Sequence, residues 1–208
     1  METTTLNPWF SMWRHPRRTI RQIVETNPDR LVLVLAAISG IVQGFANAES
    51  KSRGNRESFL AIVLASVVLG PVMGIIGLWL GGSLLRWTGG WIGGQGDSRR
   101  IRAAVAWSNV PMIWSLALWI PAILLFGQEL FTEATPVLDA SPLLSGLYLG
   151  FSIGTAVIGV WSFVVGLHAL GEVQGFSAWK ALLNGILAML VVLIPILAIV
   201  GIAIWLGK

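Results

Sequence analysis

The chain has 208 residues, 55% of them apolar and only 12% charged, with a mean hydropathy of +0.76. Soluble domains carry about a quarter charged residues, so there is too little charge here to cover a water-facing surface. The net charge of +4 reads as an orientation signal and an attraction to anionic lipid rather than a nucleic-acid footprint, and zero Cys excludes disulfides and thiolate chemistry.

The charges are clumped. Residues 31–48, 59–85, 103–128, 140–171 and 181–207 contain no Asp, Glu, Lys or Arg, and these 130 residues leave all 24 charges in the remaining 78. A helix needs about 20 largely apolar residues to cross a bilayer. The pattern predicts an all-α membrane protein with five transmembrane helices over 31–208, preceded by a cytoplasmic segment, 1–30, that carries an interfacial amphipathic helix. No apolar core of a cleavable signal peptide precedes the first span, which is expected to act as an uncleaved anchor.

After a mostly polar start, Trp9, Phe10, Met12 and Trp13 lead into Pro16, which suits a first helical turn, and Pro28 closes the helix. Ile20, Ile23 and Val24 share a face. Aromatic rings beside Arg14, Arg17, Arg18 and Arg21 describe an in-plane helix, with rings at headgroup level and guanidinium groups on phosphates. The plain reading of Trp9, Trp13 and these arginines is an anchor on anionic lipid; the sharper one is a platform for a cytoplasmic partner.

Span one carries Ser39, Gln43 and Asn47 at steps of four, with Gly40 and Gly44 beside them, so one flank should face protein. Span two carries Gly70, Gly74, Gly77 and Gly81 on one stripe, which permits close approach of a neighbouring helix, and Pro71 should kink it. Residues 87–97 are too rich in glycine for a stable helix and read as a flexible cytoplasmic loop. Span three contains Asn109 before Pro111, and then Pro121, so it should be kinked and packed inside the bundle. Span four repeats the packing stripe with Gly146, Gly150 and Gly154 and ends near His168 and Glu172, one turn apart. Span five holds Lys180 and Asn184 near one end and Pro195 midway.

With the N-terminus cytoplasmic, ten Lys and Arg fall inside and four outside: Lys51, Arg53, Arg56 and Lys208. This is the direction of the positive-inside rule and puts the C-terminus outside. The loop after span three has no basic residue and holds Glu129, Glu133 and Asp139.

Little here carries chemistry. Gly94-Gln95-Gly96-Asp97 spells the GxGD pattern of intramembrane aspartyl proteases, but that chemistry needs two carboxylates within the membrane and no span contains a second Asp. His168 and Glu172 could ligate a metal or relay protons, yet a catalytic zinc takes three protein ligands, so a buried His–Glu hydrogen bond is the plainer reading. Asn109, His168, Glu172 and Asn184 are expected to form one polar cluster near the inner membrane face. No cofactor, metal site or enzymatic activity is expected.

The run Asn7-Pro8-Trp9 … Trp13 … Pro16-Arg17-Arg18-Thr19-Ile20-Arg21-Gln22-Ile23-Val24 … Asn27-Pro28 resembles the opening of prokaryotic members of the Yip1-domain family of integral membrane proteins. Arg102-Ala103-Ala104-Val105-Ala106-Trp107-Ser108-Asn109-Val110-Pro111 and Gly171-Glu172-Val173-Gln174-Gly175-Phe176-Ser177-Ala178-Trp179-Lys180-Ala181 extend the resemblance over nearly the whole chain. It implies five spans and a cytoplasmic N-terminus. Eukaryotic relatives act in vesicle traffic, associate with prenylated Rab GTPases and pair with sister family members. Of their Asp-Leu-Tyr-Gly-Pro-like element only Gly70-Pro71 is echoed here, so Rab binding is not carried over. Two functions follow as expectations. One is a non-enzymatic scaffold or trafficking-type factor that binds other membrane proteins or itself. The other is a transporter or lipid-handling protein that uses the polar cluster.

Overall fold

A computed structural model describes residues 6–206, and all regular structure among them is helical. The polar start through residue 5, and Lys208 among the expected outside charges, lie outside the described residues. The leader forms two helices, α1 (Pro8–Arg14) and α2 (Pro16–Thr26). Asn7 caps α1 by accepting from the Trp9 amide, and Pro16 starts α2 where a missing N–H costs nothing.

Span one is α3 (Val32–Ser50). Span two runs from Phe59 to Trp91 as α4 (Phe59–Leu64), a π-helical turn (Ala65–Leu69) and α5 (Gly70–Trp91). The disturbance anticipated at Pro71 takes the form of that turn: the Gly70 amide reaches back to the Ala65 carbonyl, one residue further than in an α-helix. The helix then continues through Gly89 and Gly90 to Trp91. The expectation of a loop from residue 87 is corrected here, because Thr88 and Gly89 are buried against Gln174 and Asn184 and that packing outweighs the poor intrinsic propensity of glycine.

Span three is broken into α6 (Ser98–Ser108), α7 (Val110–Trp114) and α8 (Leu116–Phe126), with a one-turn 3-10 extension to Phe131. Its two halves meet at 42° around Ser115, so the main bend precedes Pro121, which sits inside α8. At the break the Ser115 amide bonds back to Met112, as does its hydroxyl, at 2.6 Å. A short helix α9 (Pro136–Asp139) leads into α10 (Pro142–Gln174), and α11 (Ala178–Leu206) ends the described chain. Four spans are long and apolar enough to cross a membrane, and the broken one makes five when counted as a single crossing.

Hydrogen bonds from the broken helix to both ends of α3 support that count. The Trp107 indole N–H donates to the Arg30 carbonyl just before α3 (3.1 Å), and Gln128 Nε2 donates to the Gly54 carbonyl just after it (2.9 Å). The broken span therefore runs from one end of α3 to the other.

Two buried clusters fill the bundle. One, at the end rich in arginine, joins Ile101, Trp107, Val110, Val165 and Ala169 to Met12, Ile20 and Ile23 of the leader. The apolar face of α2, expected to rest on lipid, is thus buried in protein. Its arginines remain at the rim. The second cluster, at the opposite end, stacks Phe45 between Trp119 and Phe131. Only Ala181, Asn184 and Ala188 of α11 are buried among its described side chains, and residues 192–204 are exposed on every side.

Candidate functional site

The four polar groups expected to cluster are distributed over three places. His168 and Glu172 sit one turn apart on α10 and meet the leader, not each other. Arg17 donates from Nε to His168 Nδ1 (3.4 Å), from Nη1 to Glu172 Oε2 (3.3 Å) and from Nη2 to the Phe176 carbonyl (3.0 Å). Arg21 takes the other carboxylate oxygen at 2.6–2.7 Å. One carboxylate, 14% exposed, is therefore held by two arginines of α2. Lys180 takes no part; its ammonium lies 4.7 Å from the centre of the Phe176 ring. Among the described residues no three His, Asp or Glu come together as metal ligands would.

Asn184 is buried in a second knot, where α5, α10 and α11 converge. Thr88 donates to Asn184 Oδ1 (2.7 Å), and Asn184 Nδ2 and Gln174 Nε2 both donate to the Leu85 carbonyl (3.0 and 3.1 Å). Gln174 also accepts from the Gly96 amide through its side chain (3.2 Å) and from the Gln95 amide through its carbonyl (3.1 Å). A Cβ at Gly89 or Gly94 would strike the Gln174 amide. The glycine-rich segment is thus fitted around one glutamine that the sequence reading missed; its position just before Gly175 (φ +72°) was the available signal. Asp97 of the GxGD pattern has a structural task, capping α6 by accepting from the Arg100 amide at 2.9 Å.

Asn109 lies elsewhere, on a side-open cleft of about 700 Å3 between α3, the π-turn with α5, and α6–α7. Gln43 and Asn47 line it too, as the polar flank of α3 anticipates, with Ser66 from the π-turn. The side chains of Gln43, Asn47 and Asn109 form no hydrogen bond among the described residues; Gln43 and Asn47 are exposed and Asn109 is half-buried. Small residues make the cleft possible. Gly40 and Gly74 bring α3 and α5 so close that a Cβ at Gly40 would enter the Gly70 carbonyl and one at Gly74 the Ala36 carbonyl.

The two glycine stripes divide accordingly. Gly70 and Gly74 pack on α3, whereas Gly77, Gly81, Gly146 and Gly150 face open space and Gly154 meets only the Leu118 side chain. Gly82, outside the stripe, lets the stem of Arg102 cross α5 and place its guanidinium 4.1 Å from the Trp79 ring centre.

On the leader, Trp9 packs edge-on against Trp107, and Trp13 is fixed by the Trp161 indole N–H donating to its carbonyl (3.2 Å). Arg14 and Arg18 are exposed. A profile of the Yip1 domain matches residues 10–200, from within α1 to the C-terminal half of α11.

The chain belongs to the Yip1-domain family.

Comparison with curated proteins returned no match, and neither did comparison with solved structures. The matched region of this Yip1-domain protein takes in the Arg17–Glu172 clamp, the Asn184 knot and the cleft. The match and the apolar helices together make it a multi-pass membrane protein.

Proposed function

We propose that this Yip1-domain protein is a non-enzymatic membrane scaffold that receives a transmembrane helix, from another membrane protein or a second copy, in the cleft beside α3. The observation that carries the reading is the set of amides at Gln43, Asn47 and Asn109, which open onto the cleft without a partner among the described residues. Polar side chains within membrane spans face protein or water, because lipid cannot satisfy them. Gly44, Gly70 and Gly74 are already used where α3 crosses the π-turn and α5, but Gly77 on the cleft wall has open space beside it for a neighbouring helix, and each interhelical amide contact contributes roughly 0.6–2 kcal/mol.

The N-terminus faces the cytoplasm and the C-terminus the other side, a reading supported by the ten-to-four distribution of basic residues. Trp9, Trp13, Arg14, Arg17, Arg18 and Arg21 then lie at the inner leaflet, with anionic lipid as their natural company.

A photoreactive residue at Gln43, compared with one at the lipid-facing Ile194, tests the scaffold in native membranes. Discrete protein adducts from Gln43 alone are expected. The unpartnered amides equally favour a second reading, lipid handling or transport through the same cleft. Adducts from Gln43 to phospholipid alone, together with flux in reconstituted liposomes that Asn109→Leu abolishes, would replace the scaffold with that reading. His168 and Glu172, bound by Arg17, stand outside either version.

A further inference from the structure

The leader and α10 flank an open pocket of about 310 Å3 at the arginine-rich end. Its rim is Arg14, His15 and Arg18; its wall is Trp161, Val164 and Val165 of the apolar span. The two halves have opposite chemistry. Arg17 is spent on Glu172, His168 and the Phe176 carbonyl, but Arg14 and Arg18 are exposed and form no ion pair among the described residues. Glu172 is already bound by two arginines, so the neighbourhood keeps an excess of positive charge. The first turn of α2 also lacks a side-chain cap, which leaves amide donors at that rim. On the wall side, the indole N–H of Trp161 is tied to the Trp13 carbonyl, which fixes an aromatic surface beside the arginine rim.

We propose that this pocket binds one anionic phospholipid, its phosphate held between Arg14 and Arg18 and its glycerol and upper acyl chain lying on Trp161 and Val164. The volume is at the small end of ligand pockets, which suits a headgroup whose tails continue into the bilayer. Guanidinium groups bind phosphate with charge-assisted, directional hydrogen bonds. The inference deepens the anionic-lipid reading above: a general surface attraction becomes one stoichiometric site. It is independent of what enters the cleft beside α3.

Native mass spectrometry of the full chain, released from nanodiscs of mixed phosphatidylglycerol and phosphatidylcholine, reads the site directly. One retained phosphatidylglycerol per chain is expected. Arg14→Gln with Arg18→Gln should lower its retention about a hundredfold, roughly tenfold for each of the two charge-assisted hydrogen bonds lost, with the melting temperature unchanged. Val164→Trp, which fills the pocket and leaves every charge in place, should lower it as well. Arg99→Gln with Arg100→Gln, an equal loss of charge outside the pocket, should not. Equal losses from both arginine pairs, or full retention in Val164→Trp, would overturn the site and leave the diffuse attraction standing. Inorganic phosphate displacing the lipid as well as a short-chain phosphatidylglycerol does would also overturn it, because the apolar wall would then contribute nothing.

Discussion

Glu172 shows how much one side chain can organise. Its carboxylate binds two arginines that lie more than 150 residues away in the chain, and Arg17 extends the same contact to His168 and to the turn before α11. Arg21 is well exposed, so its ion pair is screened by water and contributes little. Arg17 adds two further hydrogen bonds. Arg17→Gln should therefore loosen α2 more than Arg21→Gln does, by about 1 kcal/mol or more. Hydrogen exchange of the α2 amides in nanodiscs measures it, and equal exchange in the two variants would contradict the assignment. Neighbouring glycines give a second test. Gly89→Ala pushes a methyl into the Gln174 amide, whereas a Cβ at Gly90 meets nothing. The first should cost about 1–3 kcal/mol, the usual penalty for overpacking, while the second should be neutral or slightly stabilising through better helix propensity. Thermal unfolding in detergent separates the pair.

At the scale of elements, the crossing of α3 and α5 depends on glycines that the repeating stripe does not single out. Gly40→Ala and Gly74→Ala should each lower the melting temperature, since the added methyl meets backbone that cannot turn aside. Gly77→Ala, Gly81→Ala, Gly146→Ala and Gly150→Ala should leave it nearly unchanged. Gly77→Leu would partly fill the cleft it lines, so it should reduce protein adducts from Gln43 without loosening the fold. The contrast explains what could be read in advance. Stretches free of charge announce spans because burying an unpaired charge in lipid is prohibitive, and the Ser39–Gln43–Asn47 spacing does mark one flank of α3, but only Ser39 is covered by protein and Gln43 and Asn47 are exposed on the cleft. A four-residue repeat of glycine, by contrast, tells which face is small without telling which neighbour arrives. The bend at Ser115 was hidden for a related reason: Pro121 is the conspicuous breaker, but the backbone yielded where a serine hydroxyl could take a freed carbonyl. Separating Asn184 from Asn109 required knowing that α11 meets α5 at Thr88, a contact between residues 96 apart in sequence.

For the whole molecule, the decisive question is whether the broken helix from Ser98 to Phe131 is a full crossing or a re-entrant loop. Its bend of 42° is compatible with either. The ends decide in favour of a crossing. Gln95 and Gly96 are bonded to Gln174 at the arginine-rich end, while Gln128 and Glu133 are bonded to Gly54 and Asn55 beyond the far end of α3. A re-entrant segment would return both termini to one face. Because the chain contains no Cys, single cysteines at the exposed Gln95 and Ala134 can be labelled against a silent background. With a membrane-impermeant maleimide on intact cells, Ala134→Cys should react and Gln95→Cys should react only after permeabilisation. The order follows from the positive-inside distribution, since Arg86, Arg99, Arg100 and Arg102 surround Gln95 and no Lys or Arg lies between 103 and 179. Labelling of both from the same side would reduce the count to four crossings and bring the two termini to one face. Reversal of the two would keep five crossings and invert the protein, placing the arginine-rich leader against the opposite leaflet.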